Sequence, residues 1–136
     1  MEMLKQLRKL GFSFALDDFG AGYSNFRYAI DLHADVIKID GSIIKNICHS
    51  TESHAVTSAI LGLAHDLGCK CVAEWVEDLH TLREVKELGM DYVQGFLVSP
   101  AVECSRFLNL KSPLDLIDDT KRAALIQEVV LALEGC

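Results

Sequence analysis

The sequence predicts an α/β fold in which short parallel strands alternate with helices. Four apolar stretches, FSFALDD, DVIKID, CKCVAEWVE and DYVQGFLV, have the composition of buried strands, and charged or amide residues lie at or near their C-terminal ends. Helical stretches separate them, and this alternation is typical of parallel sheets covered by helices. Ligands of doubly wound sheets and of (β/α)8 barrels bind beyond the C-terminal ends of the strands.

The helices are predicted from apolar spacing and from the residues that start and stop them. Leu4 and Leu7 have helical spacing in the first stretch, and Ser24 can cap the second. The predicted helices cover residues 1–10, 24–32, 56–68 and 79–89, and glycines close three of them: Gly11, Gly68 and Gly89. Each predicted strand is therefore followed by a helix or a helix-like segment.

The C-terminal tail differs from the part before it. We expect residues 1–110 to form the α/β portion and 111–136 to form an extension with an amphipathic helix near residues 118–133. The apolar face of that helix needs a partner surface. Packing against the rest of the chain is the expected arrangement, and self-association is the alternative.

Length and composition exclude several classes of function. A length of 136 residues suits one domain, and a net charge of −7 argues against binding of nucleic acid polymers. No apolar run approaches the roughly 20 residues of a membrane span, so no membrane segment is expected in this chain. Five cysteines without CxxC spacing indicate a reducing, cytoplasmic setting, in which Cys69 and Cys71 are expected to be buried thiols.

Asp17 and Asp18 are the first candidate site residues. In a regular strand, adjacent side chains point to opposite faces, so the two carboxylates would not serve one site. At the end of a strand, with Gly20 and Gly22 allowing unusual backbone angles, both carboxylates can turn toward one centre. They would then suit Mg²⁺ or Mn²⁺. The alternative is an Asx turn in which the second acid caps the helix near Ser24.

Lys38, Glu74 and Gln94 follow from the next three strands. Lys38 in an apolar strand must reach solvent or meet an acid, and near a phosphate it could hold water or stabilise developing charge. Glu74 could ligate a metal or accept a proton from water. A purely structural salt bridge between Lys38 and Glu74 is the alternative for both. Gln94 could hydrogen-bond a nucleobase or a phosphate.

Four motifs in this order, ALDDFGAGYSN, DVIKIDGSII, VAEWVED and DYVQGFLVSPAV, closely resemble the second half of the EAL domain. That family consists of bacterial phosphodiesterases that hydrolyse the second messenger cyclic di-GMP. The resemblance covers roughly residues 1–105. It implies a TIM-like barrel, two Mg²⁺ or Mn²⁺ ions that activate an attacking water, and linear pGpG as the product.

The resemblance also implies roles for individual residues. Asp17 and Asp18 resemble metal ligands, with Asp17 as the bridge, and Lys38 and Glu74 resemble the groups that orient and deprotonate the water. Gln94 resembles a residue that lines the substrate site. Glu77 resembles the glutamate that stabilises the loop after Asp18, and Phe19 and Gly20 begin that loop, Phe19–Tyr23, which couples metal binding to dimer contacts.

The sequence departs from the family pattern at several points. Trp75 stands where family members commonly have the glycine of AEGVE, Pro100 where many have a basic residue, and Ala21 where a threonine is frequent. The Glu-Ala-Leu signature and the asparagine and glutamate that complete the metal shell are not found before Phe12. We therefore expect the isolated chain to be inactive.

Two hypotheses follow. The first is that the chain forms the C-terminal half of a cyclic di-GMP phosphodiesterase domain, whose partner is the N-terminal half of the barrel. The second is a degenerate EAL fragment that acts as a cyclic di-GMP-related regulatory or protein-binding module. A third option is a homodimer in which two copies pair to close a barrel. On the residues alone, a metal-independent βα enzyme is a further alternative.

Overall fold

The computed structural model describes residues 2–22, 26–117, 121, 123 and 124. Helices and strands alternate, as the sequence predicts. The helices are α1 (Glu2–Lys9), α2 (Phe26–Leu32), α3 (Gly41–Ile44), α4 (Thr51–Asp66), α5 (Leu79–Glu87) and α6 (Cys104–Leu108). The strands are β1 (Ala15–Phe19), β2 (Val36–Ile39), β3 (Lys70–Ala73) and β4 (Tyr92–Val93), and a 3₁₀ turn spans Pro113–Leu116.

The four strands form one parallel sheet in the order β1-β2-β3-β4. β2 pairs with β3 over its whole length, so that Lys38 lies opposite Val72 and Ile39 opposite Ala73. Each strand lies next to its neighbour in sequence and runs parallel to it, so the C-terminal ends of all four strands lie at one edge of the sheet. The predicted α/β class is confirmed, and the candidate residues Asp17, Asp18, Lys38, Glu74 and Gln94 lie at or next to this edge.

The core consists of the apolar strand residues and the helix faces that cover them. Ile37, Ile39, Cys71 and Ala73 have no exposed surface, which fits the nearly continuous apolar composition of parallel strands. The prediction that Cys69 and Cys71 are buried is also confirmed. Burial raises the pKa of the Cys71 thiol to about 12, so this sulfur stays protonated and unreactive.

Two aspartates tie the strands together at the opposite, N-terminal edge. The Asp35 carboxylate accepts hydrogen bonds from both terminal guanidinium nitrogens of Arg8, at 3.0 and 3.1 Å, and from the backbone N–H of Phe14 at 2.7 Å. The Asp91 carboxylate accepts hydrogen bonds from Lys70 Nζ at 2.6 Å and from the backbone N–H of Cys71 at 2.9 Å. Each carboxylate thus joins the start of its own strand to the start of the preceding strand in the sheet.

Two strands end earlier than the sequence predicts. Trp75 has a φ of 57°, a left-handed conformation that breaks the extended chain, so β3 stops at Ala73 instead of reaching Glu77. β4 stops at Val93 because the chain turns at Gly95, whose carbonyl accepts the N–H of Ser99. The predicted strand over 91–98 is therefore wrong beyond its first residues.

The helices also differ from the predicted ones at several points. α4 begins at Thr51, five residues before the predicted start, because Ser50 caps it by accepting the N–H of Ser53. The short α3 was not predicted; Asp40 caps it by accepting the N–H of Ser42. Most of the predicted tail helix lies outside the described residues, and the division at residue 110 stays a prediction. No helix in the described part of the chain is long and apolar enough to cross a bilayer.

Asp91 gives the first testable prediction. Partial burial alone would raise its pKa, but hydrogen bonds from Lys70, the Cys71 N–H and His65 outweigh that effect and hold the pKa of Asp91 at about 2. Because the unfolded chain binds more protons in acid, this stabilisation is present above about pH 4 and is lost as the pH falls toward 2. Asp91→Asn should lower the free energy of unfolding by about 1–2 kcal/mol at pH 7 and by much less near pH 2.5.

Urea denaturation between pH 2.5 and 7 measures this difference. The matched control is Asp66→Asn, which changes an exposed carboxylate at the end of α4 and should shift stability by less than about 0.5 kcal/mol at every pH. A constant difference between Asp91→Asn and the parent over the whole pH range would contradict the assignment.

Gly95 gives the second prediction. A Cβ at Gly95 would lie 2.1 Å from the carbonyl oxygen and 2.4 Å from the nitrogen of Val76, both backbone atoms that cannot rotate away. Gly95→Ala should therefore lower the free energy of unfolding by about 3 kcal/mol. Gly62 in α4 is the control, since nothing lies within 4 Å of its Cβ position. Gly62→Ala should stabilise the protein by about 0.5–1 kcal/mol. Equal effects of the two substitutions in thermal denaturation would disprove this account.

Candidate active site

Asp17 and Asp18 lie inside β1, and a β-bulge brings them to one side. The register pairs Leu16 with Ile37 and Phe19 with Ile39, so both aspartates face the single residue Lys38. Asp18 takes a φ of 51°, which breaks the alternation of side chains. The expectation that the strand has already ended at these residues is thus wrong. Their convergence comes from the bulge, before the chain reaches Gly20.

Lys38 links three strand ends. Its ammonium nitrogen lies 2.6 Å from Asp17 Oδ1 and 2.5 Å from Glu74 Oε1. The side chain of Glu74 is only 7% exposed and that of Lys38 22%, whereas that of Asp17 is 64% exposed. The hydrogen bond to Asp17, followed by that to Glu74, raises the pKa of Lys38. The salt bridge with Glu74 that the sequence allowed is therefore present, and it includes Asp17.

Glu74 is held in place by the sheet. It follows the last residue of β3, and its backbone N–H donates to the carbonyl of Ile39 at 3.2 Å, which continues the ladder by one bond. The next residue leaves the sheet at a positive φ. The carboxylate is consequently buried at the base of the site, where the low exposure strengthens its interaction with Lys38.

Asp17, Asp18 and Glu74 form a cluster suited to a divalent cation. Each offers a carboxylate oxygen, and these oxygens lie within 4.8 Å of one another. With Lys38 as the single ammonium paired with two of them, three carboxylates leave an excess of negative charge. Hard oxygen ligands of this kind fit Mg²⁺ or Mn²⁺, although each such ion takes about six ligands. The donor set fits the expected metal and would supply part of its shell.

Gln94 lies in an adjacent cleft beyond the ends of β3 and β4. The cleft has a volume of about 160 Å³ and is lined by Trp75, Glu77, Gln94, Gly95 and Phe96. Backbone hydrogen bonds fix Gln94, since its N–H donates to the Ala73 carbonyl and its own carbonyl accepts the N–H of Val76. This volume is below the ~300 Å³ at which small-molecule sites begin, so the cleft suits one part of a larger ligand.

Trp75 is anchored by contacts that the sequence did not reveal. Lys45 Nζ lies 3.6 Å from the centroid of its ring. A Cβ on Gly41 would lie 2.3 Å from its Cγ, so the indole occupies the space that glycine leaves. Lys45, Gly41 and Phe96 were absent from the predicted site. The motif IDGS was the available signal, because an aspartate two residues before a serine can cap a short helix that places Lys45 here.

The loop that Glu77 was expected to stabilise is only partly described. Phe19 is buried and packs edge-on against Phe26, with ring centroids 4.6 Å apart. Gly20 has a φ of 98°. Tyr23, the last residue of the loop, lies outside the described residues, and the role of Glu77 stays a prediction.

Comparison with known proteins establishes the family. The family model of the EAL domain matches residues 1–101. The chain belongs to the EAL domain family. Cyclic di-GMP phosphodiesterase PdeB of Shewanella oneidensis is 42% identical over 98 residues, which are 72% of this chain and 11% of PdeB. The chain therefore spans a small part of this relative.

Solved EAL structures share the fold. The cAMP-bound form of the EAL enzyme Bd1971 is 36% identical, with a TM-score of 0.74 over 80% of this chain and 30% of that chain. The manganese and cyclic di-GMP complex of Klebsiella pneumoniae BlrP1 is also 36% identical, with a TM-score of 0.68 over 73% of this chain and 25% of that chain. The parallel βα units are thus part of a TIM-like EAL barrel.

The contact between Lys38 and Glu74 in this EAL chain gives the third prediction. Lys38→Met leaves the buried Glu74 carboxylate without its cation and should lower the free energy of unfolding by about 2 kcal/mol at pH 7. Adding Glu74→Gln removes the unpaired charge, and the double variant should regain at least half of that loss. Urea denaturation of the two single variants, the double variant and the parent gives the coupling free energy.

Lys5→Met, which replaces an exposed lysine of α1, is the control and should change stability by less than about 0.5 kcal/mol. Additive effects of Lys38→Met and Glu74→Gln would show that the two groups do not stabilise one another.

Proposed function

We propose that this chain supplies the C-terminal part of the active site of a phosphodiesterase that hydrolyses cyclic di-GMP to linear pGpG with two Mg²⁺ or Mn²⁺ ions. The observation that carries the proposal is the cluster of Asp17, Asp18 and Glu74 around Lys38 at three adjacent strand ends. The names of PdeB and of the BlrP1 complex support the substrate and the use of a divalent ion.

The metal ligands in this mechanism are Asp17 and Asp18. Asp17 is the more exposed of the two carboxylates that contact Lys38, and together with Asp18 it would hold the divalent ions. Bound divalent ions would lower the pKa of a water and neutralise charge on the phosphate oxygens. The bulge in β1 is what allows both aspartates to serve one centre, and Phe19 anchors its C-terminal side in the core.

Lys38 and Glu74 act on the attacking water. Lys38 is an ammonium at neutral pH, so it can only donate hydrogen bonds, and it orients the water and stabilises negative charge on the phosphoryl group. Glu74 is the carboxylate that accepts the proton of the water. The water oxygen bonds to phosphorus as one ring P–O bond breaks, the ribose oxygen that leaves takes up a proton from solvent, and the cyclic dinucleotide opens. Gln94 holds the substrate from the neighbouring cleft.

The isolated chain of 136 residues should not turn over cyclic di-GMP. The carboxylates of Asp17 and Asp18 offer at most four oxygens, whereas two ions with about six ligands each need about twelve ligand positions, several of which waters can fill. In the family pattern, an asparagine and further glutamates from the first half of the barrel complete the shell. The proposed function therefore belongs to the domain in which both halves are present.

A chimera tests this proposal. In PdeB of Shewanella oneidensis, the aligned 98-residue segment is replaced by the corresponding segment of this chain. We expect the chimera to convert cyclic di-GMP to pGpG with Mn²⁺, to lose activity in EDTA and to regain it when Mn²⁺ is restored. Lys38→Ala or Glu74→Gln in the chimera should each lower kcat by about 100-fold or more, because each removes a group that acts on the water.

Lys5→Ala is the control in the chimera and should leave kcat unchanged. Chromatographic detection of pGpG is the measurement, with the isolated chain expected to give none. A folded chimera without turnover, or one whose turnover survives Lys38→Ala and Glu74→Gln, would refute the proposal.

Self-association is a second candidate function, and the open sheet favours it. Within the described residues, β1 and β4 each pair with a strand on one side only, and unpaired strand edges recruit further strands. Tyr92 on β4 and the nearby Phe96 are exposed aromatic residues at one of these edges. Two copies of the chain could pair along these strand edges, and the chain would then act as a protein-binding module.

Light scattering after size-exclusion chromatography tests this candidate. We expect the parent chain to form dimers as its concentration rises and Tyr92→Lys to remain monomeric, because a charge on an edge strand opposes pairing. Tyr28→Lys, at an exposed position of α2, is the control and should behave as the parent does. A parent that stays monomeric at every concentration would exclude this function.

A further inference from the structure

Trp75 is the only tryptophan of the chain, and its conformation is unusual. Its φ of 57° lies in the left-handed region, which a residue with a bulky side chain adopts only with backbone strain. Despite this, Trp75 is 53% exposed. The indole is held by the Lys45 ammonium, 3.6 Å from its ring centroid, and by close contact with Gly41. The contacts with Lys45 and Gly41 offset the backbone strain and fix the ring without burying it.

The fixed indole forms one wall of the cleft beside Glu74. Phe96, which is 61% exposed, lines the same cleft, together with Glu77, Gln94 and Gly95. Both aromatic rings therefore have free surface at a site that also contains an amide and a carboxylate. Gly95 brings the backbone itself to the cleft, because it packs directly on Val76.

The geometry points to Trp75 as a stacking residue that binds one guanine base of a nucleotide, with Glu77 and Gln94 reading the edge of that base. This assignment rests on the proposed function in naming the base, since cyclic di-GMP contains two guanines. The assignment adds a ligand contact made by a residue that departs from the family pattern. It also requires no metal ion at the neighbouring carboxylates.

The chemistry of the cleft fits this ligand. Aromatic side chains stack on nucleobases, and guanine offers the acceptor O6 and an amino donor on its edges. The Gln94 amide can donate to O6, while the Glu77 carboxylate can accept from N–H donors. An apolar cavity of about 150 Å³ holds a benzene molecule, so a cleft of about 160 Å³ that is open on one side accommodates a planar base. A whole dinucleotide would extend beyond the cleft toward Lys38.

Tryptophan fluorescence gives a direct measurement, because the chain has a single tryptophan. The full 136-residue chain is titrated with GMP in EDTA. We expect saturable quenching by GMP and weaker or absent quenching by ribose 5-phosphate, which has the phosphate but no base. UMP should bind more weakly than GMP, since its smaller ring offers less stacking surface.

Variants analysed by calorimetry separate stacking from structure. Trp75→Gly fits the positive φ without steric cost, so it should remain folded by circular dichroism, and it should bind GMP about tenfold more weakly. Trp75→Phe keeps an aromatic face and should retain most of the affinity. Phe96→Ala should also weaken binding. Tyr28→Ala, which removes an exposed aromatic ring on α2, is the matched control and should bind GMP as the parent does.

Two results would overturn the assignment: an unchanged affinity for GMP in folded Trp75→Gly, or equal quenching by ribose 5-phosphate and GMP. These outcomes are independent of hydrolysis. A chimera that fails to hydrolyse cyclic di-GMP while the chain still binds GMP through Trp75 would refute the proposed function alone. An active chimera whose turnover and affinity do not change with Trp75→Gly would refute the stacking role alone.

Discussion

The parallel pairing of β2 with both of its neighbours, with the β-bulge in β1, is the constraint on which the site depends. It sets the carboxylates of β1 and of the end of β3 on either side of one lysine, so that a single ammonium joins three strands. If either pairing shifted by one residue, the side chain of Lys38 would point to the other face of the sheet relative to its partners. The ion pairs and the register therefore support one another.

The carboxylates at the two edges of the sheet have different roles. At the N-terminal edge, Asp35 and Asp91 are saturated with hydrogen bonds, and the pKa of each is lowered by these contacts. At the C-terminal edge, Asp17 and Asp18 are exposed, and negative charge remains in excess of its partners. Carboxylates whose hydrogen bonds are satisfied stabilise the strands, whereas those left with free oxygens can bind ligands. This separation is general among βα barrels.

Much of this arrangement could be predicted from the sequence, because it depends on the composition of short segments of the chain. Strand composition gave the parallel sheet, and the apolar setting of Lys38 predicted an acidic partner. The bulge at Asp18 could not be predicted, since it depends on which residues of two distant segments pair. The early end of β4 was missed for the same reason, because the approach of Gly95 to Val76 is a tertiary contact. Trp75 was noticed as a departure, but its anchor on Lys45 required the unpredicted α3.

The contact between Trp75 and Gly41 has an evolutionary consequence. The Cβ of any other residue at position 41 would overlap the indole, so the two positions cannot both carry large side chains. A lineage could acquire tryptophan at position 75 only while glycine already occupied position 41, and afterwards position 41 would be fixed. The order of substitutions is thereby determined by one steric contact. Among related sequences, a bulky residue at position 75 should thus occur together with glycine at position 41, which is a case of epistasis between the ends of neighbouring strands.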